Sequence, residues 1–159
     1  MIQLVKWVVV AWVLVIGAER AIADEVTILH QGITLNGERV LAEGKQMSDG
    51  ILLLTHGTLA HNKMEIIATL QELLAENEIS TLAINLSLGV DNRHGSYECS
   101  VPHKHQHTDA VDEMAAWLDW LEQQGVKQID VMGHSRGGNQ VAWLLAEQDR
   151  ASIRKGVVL

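Results

Sequence analysis

Four short apolar runs punctuate the chain, and each ends where the pattern changes. The run ILLLTHG, residues 51–57, is continuous and closed by glycine, which predicts a parallel strand buried on both faces at the centre of a sheet. TLAINLSL from Thr81 and QIDVM before Gly133 predict two more buried strands, and IRKGVVL begins another. Between them the period lengthens. Ile67, Leu70 and Leu74 recur at helical spacing up to about Asn77, behind an expected cap at Asn62 with Glu65 three residues on. Val111, Met114, Ala115, Leu118 and Leu121 mark an amphipathic helix from His107 to Gln124, with Gly125 as its stop. Val141, Leu144 and Leu145 give a third apolar stripe. Upstream, VTILHQGITLNGERVLA, residues 26–42, predicts a β-hairpin around the turn signal Asn36-Gly37.

A hairpin followed by repeated strand–helix units implies an α/β fold: a mainly parallel sheet, helices on both faces and an N-terminal β-hairpin. Reactive groups in such sheets gather outside the carboxyl ends of the strands. His56, the long polar loop Gly89–Gln106 and Ser135 all fall at such ends.

Composition removes several classes. A hydrophobic content of 47% with 20% charged residues suits a globular domain, and a net charge of −8 without a basic patch argues against nucleic acid as a partner. The first 23 residues stand apart from the fold. Lys6, the apolar run Trp7–Ala18 and the small-residue signal Ala21-Ile22-Ala23 predict a signal peptide cleaved after Ala23, with the domain spanning 24–159. The run falls short of the roughly 20 residues that a membrane span needs. The alternative is an uncleaved anchor, the one route by which a membrane becomes a partner. Either way the domain is expected to be exported, periplasmic or secreted. Cys99 is the single cysteine, so no internal disulfide is expected and Cys99 is read as a loop or packing residue.

The chemistry concentrates in VMGHSRGGNQ, residues 131–140, where a serine sits between glycines as a strand gives way to a helix. A serine hydroxyl is a useful nucleophile only when a base removes its proton and donors receive the charge that develops on the substrate oxygen. A sharp strand–turn–helix lifts such a serine clear of the sheet, and the crowding gives Gly133 and Gly137 a steric reason to be there. The competing reading of Ser135 is a helix N-cap with no catalytic role. A second feature, THGTLAHN at the end of the central strand, offers a His-Gly turn with exposed backbone N–H groups.

Together, LLLTHGTLAHN and GHSRGG resemble the α/β-hydrolase superfamily over nearly all of residues 26–159. The resemblance implies Ser135 as nucleophile, the backbone N–H groups of Thr58 and Arg136 as an oxyanion hole, Gly133, Gly137 and Gly138 as the elbow, and His56 and Gly57 as the oxyanion turn. It further implies a small-molecule or lipid acyl substrate (an ester, thioester or amide) cleaved through an acyl-enzyme, with no cofactor and no metal. A non-catalytic binding protein on the same fold, using the loop 89–106 as its partner surface, is the alternative.

One departure matters. In this superfamily the triad acid and histidine follow the nucleophile along the chain. None of the eight histidines follows Ser135, and the sequence stops on Val157, Val158 and Leu159, so a C-terminally truncated portion of the fold is expected. Upstream substitutes are weak. His134 should point to the opposite side from Ser135, His56 should orient its own turn, and Asp130 should meet solvent or a helix end. His103, His105 and His107 alternate, as a metal site on an extended segment would require, or as a solvated loop entering a helix would. Arg93 and His94 are read as pocket-rim residues that touch substrate.

Overall fold

The computed structural model describes residues 21–102 and 104–159. Most of the expected signal peptide therefore lies outside the described residues. Six strands form one sheet: β1 (Ile22–His30), β2 (Ile33–Leu41), β3 (Ile51–Thr55), β4 (Thr81–Ile84), β5 (Ile129–Gly133) and β6 (Ile153–Val158), in the order β1-β2-β4-β3-β5-β6. β1, β2 and β4 pair antiparallel, and β4, β3, β5 and β6 run parallel. The ILLLT run is thus central.

Its alternation explains both helix layers. Ile51 and Leu53 face a core completed by Val111, Met114, Trp117, Leu118 and Leu121 of α2 (His107–Gln123) and by Val141 and Leu144 of α3 (Arg136–Glu147). Leu52 and Leu54 face the other way, against Ile67 of α1 (Glu65–Glu76) with Ala83 and Met132. A strand that buries both faces has no polar position to spare, which is why its sequence shows no alternation.

Three expectations are corrected. The hairpin turns at Gln31-Gly32, both at positive φ (48° and 82°), not at Asn36-Gly37. Asn36 and Gly37 lie inside β2: the Asn36 amide donates to the Arg93 carbonyl at 2.8 Å, and a Cβ on Gly37 would lie 3.0 Å from Leu82 Cδ1 and 3.3 Å from the Ala83 carbonyl oxygen. The cap of α1 is Met64 rather than Asn62, because Asn62 is buried and donates to the Ala83 carbonyl at 3.2 Å. Leu145 is 37% exposed beside the edge strand, outside the buried stripe of Val141 and Leu144.

β4 is also shorter than its apolar run. Beyond Ile84 the Asn85 N–H still reaches across to the Asn36 carbonyl, but the Leu86 N–H bonds His56 Nε2 instead of a strand, so the backbone leaves the ladder there and enters the loop toward Gln106.

Candidate active site

Ser135 occupies the joint between β5 and α3 with φ 56° and ψ −122°. Positive φ in a residue with a Cβ costs on the order of 1–3 kcal/mol, so the surroundings must impose it. They do so through backbone packing. A Cβ on Gly133 would lie 2.1 Å from the Gly137 carbonyl oxygen, and one on Gly137 would lie 2.5 Å from the His56 carbonyl and 2.6 Å from the Thr55 carbonyl. Gly138 is less confined, with the Gly133 carbonyl 3.1 Å from its Cβ position. The Ser135 N–H donates to the Leu159 carbonyl at 2.8 Å, and the His134 N–H to the Thr55 carbonyl at 3.0 Å. Ser135 stands at the N-cap position, yet its side chain makes no cap hydrogen bond and is exposed. The hydroxyl is not consumed by the helix.

The His-Gly turn meets this joint directly: a Cβ on Gly57 would lie 3.1 Å from Ser135 Cβ. The backbone N–H groups of Thr58 and Arg136 have no acceptor among the described residues. Both residues line one small cavity of about 20 Å³ with His56, Gly57, Leu86 and Gln140.

His56 is 1% exposed and fully engaged. Its Nε2 is 3.1 Å from both the Leu86 N–H and the Arg93 guanidinium, which can only donate, so the ring proton sits on Nδ1 and bonds the Gly57 carbonyl at 2.8 Å. Burial pushes its pKa down to about 4; the Gly57 bond opposes this and the Arg93 charge adds to it. His56 is a neutral strut for the turn, with neither nitrogen open to act as a base.

Arg93 lies beneath that turn rather than on the rim expected of it. It is 5% exposed, and its guanidinium donates to the carbonyls of Leu86 (2.8 Å), Gly95 (2.5 Å) and Ala60 (3.0 Å) and to Asn85 Oδ1 (2.7 Å) as well as facing His56. Burial lowers its pKa to about 10, against the pull of the Glu113 carboxylate, and leaves it charged near neutral pH. His94, in contrast, is exposed and pairs through Nε2 with Glu25 at 3.0 Å on β1.

His105 and His107 do not converge on one site. His105 turns inward, with Nε2 3.1 Å from Glu113 Oε1, whereas His107 accepts from the Arg136 guanidinium at 3.1 Å; His103 lies outside the described residues. His134 lines a shallow apolar cleft with Ile66, Leu70 and Met132 on the α1 side, and Asp130 pairs with Arg154 at 2.7 Å. Glu113 escaped the sequence reading. It is buried, accepts from the Ser87 N–H at 2.8 Å and also from the Ser87 hydroxyl. The signal was present, since Glu113 shares a helical face with Ala110 and Trp117, where a carboxylate needs partners.

Residues 50–159 match the family model of the alpha/beta hydrolase fold. The chain belongs to that family, and its sheet is the mainly parallel part of the fold with an antiparallel hairpin at one edge. Among solved structures, Est1E from Butyrivibrio proteoclasticus is 23% identical with a TM-score of 0.62, over 77% of this chain and 45% of that one. The Pyrococcus furiosus esterase Pf2001 is 21% identical (TM-score 0.66; 87% and 51%), and the dienelactone hydrolase from Anabaena variabilis 20% (TM-score 0.67; 88% and 63%). The chain therefore spans about half the length of these structures. No curated protein matches the sequence.

Proposed function

We propose that this chain carries the nucleophile and oxyanion-binding half of an exported serine hydrolase acting on carboxylic esters, thioesters or amides. The observation that carries the reading is Ser135: a strained, exposed, uncapped serine between β5 and α3, beside two backbone N–H groups without acceptors. Ser135 Oγ attacks the substrate carbonyl carbon and loses its proton to a base. The carbonyl oxygen becomes an oxyanion facing the N–H groups of Thr58 and Arg136, each such donor being worth about 2.7–4 kcal/mol in enzymes of this kind. The N-terminus of α3 adds its dipole. Collapse expels the leaving group, which takes up the proton, and leaves the acyl group on Ser135. Water then repeats the sequence and releases the acid. This chemistry calls for no cofactor or metal.

The names of two similar structures, the esterase Pf2001 and a dienelactone hydrolase, favour esters among the three substrate classes. Export, to the periplasm or the medium, follows from the N-terminal pattern of Lys6, the apolar run and Ala21-Ile22-Ala23. The base is expected after the nucleophile in this fold, and no histidine of the sequence follows Ser135. The 159 residues alone should therefore retain at most the roughly 10³–10⁴-fold acceleration that binding and oxyanion stabilisation supply. Hydrolysis of a nitrophenyl ester by these residues at full enzymatic rates would contradict the reading. In protein expressed from the complete reading frame, a nitrophenol burst with the acyl group trapped on Ser135 is expected. Steady hydrolysis without any acyl-serine would overturn the mechanism, and a folded protein with no hydrolysis would favour a binding role on the same fold.

A further inference from the structure

One polar side chain beside the turn has no partner. Gln140, on the inward side of α3, is 4% exposed, its Oε1 is buried without a hydrogen bond, and its carboxamide bonds nothing else among the described residues. A buried carboxamide oxygen left in this state is destabilising, and the apolar Leu86 and Leu88 that line the same cavity offer it nothing to bond. Packing therefore does not account for a carboxamide at this position. A group that enters the cavity and hydrogen-bonds it does.

The cavity at Gln140, about 20 Å³, has room for a single water-sized group; Thr58 and Arg136 line it and Ser135 does not, so it lies beside the position of the substrate oxygen rather than at it. Leu88 and His105 line it as well, and they also line a second cavity of about 490 Å³, so the two meet along one wall. The larger cavity is the size of a small-molecule site. Its carboxylates Asp109, Asp112 and Glu113 outnumber Lys104, which disfavours an anionic occupant. His105 presses its Nε2 against Glu113 and contributes a polar wall rather than an alkyl channel.

We propose that the substrate is a hydroxyacyl ester: a hydroxyl close to the ester carbonyl sits in the small cavity on Gln140, and the remainder, neutral or cationic, extends past His105 into the larger one. A hydroxyl both donates and accepts, so it satisfies either face of the carboxamide. The assignment rests on Ser135 being the nucleophile.

The test compares ethyl lactate with ethyl propanoate, which differ by one hydroxyl, using protein from the complete reading frame. The native protein should prefer the lactate, and Gln140→Leu should lower the lactate-to-propanoate ratio of kcat/KM by about tenfold or more, since a site built to hydrogen-bond a group loses its discrimination when that bond is removed. A ratio unchanged by the substitution, with both esters cleaved through Ser135, overturns the substrate class alone. It leaves Gln140 holding only a bound water. Failure to cleave any ester, together with no acyl group trapped at Ser135, overturns the nucleophile and this inference with it. Thermal unfolding gives a readout that needs no activity. Gln140→Leu should raise the Tm by about 2–6 °C, because an unpartnered buried amide is replaced by apolar packing, whereas a fall in Tm would make the carboxamide a structural element and contradict the proposal.

Discussion

At the scale of the residue, strain and ionisation at the turn lead to measurable consequences. Ser135 holds φ 56° because the packing of Gly133 and Gly137 dictates the path, not because serine favours it. Ser135→Gly should therefore stabilise the protein by about 1 kcal/mol in urea unfolding, and Ser135→Ala should not, since alanine keeps the strained Cβ. His56 carries a pH dependence. Its folded pKa is about 4 against an ordinary value of 6.5, so the unfolded chain takes up a proton first as the pH falls. The contribution is fully present above pH 6.5 and is lost as the pH drops through 4, amounting to about 3 kcal/mol. His56→Gln, which keeps an acceptor for Arg93, should flatten the urea midpoint between those two values; an unchanged slope would place the effect elsewhere.

At the scale of the element, the apolar runs carried most of the reading. β3 and β5 and all three helices were legible because buried strands and amphipathic helices differ in period. Two of the misses share one physical cause: a local signal was used for a tertiary purpose. Asn36-Gly37 has the chemistry of a hairpin turn, but the protein spends it on the Arg93 carbonyl and on a close approach to Leu82 and Ala83. Asn62 has the chemistry of a cap, but it satisfies Ala83. Arg93 looked like a rim residue because a loop arginine is usually solvated, and the carbonyls that bury it come from three separate segments. The actual turn has a testable weakness. Gln31 adopts φ 48°, where asparagine is better tolerated, so Gln31→Asn should raise stability by a few tenths to about 1 kcal/mol, read as a shift in urea midpoint.

At the scale of the whole molecule, the chain presents the β1-β2-β4-β3-β5-β6 sheet of the alpha/beta hydrolase fold, with Ser135 at the joint between β5 and α3, in about half the length of similar structures. The placement of His56, Gly57, Thr58 and Ser135 at neighbouring strand ends was legible from the two glycine-flanked motifs. The buried polar groups of Glu113 and Gln140 were not, because their partners or lack of partners depend on contacts between distant segments. The central claim is that Ser135 is the nucleophile, and the most direct measurement is fluorophosphonate labelling of protein from the complete reading frame, followed by peptide mass mapping. The account predicts one adduct, on Ser135, that disappears in Ser135→Ala. A folded protein that takes no label, or takes it at another residue, would contradict it.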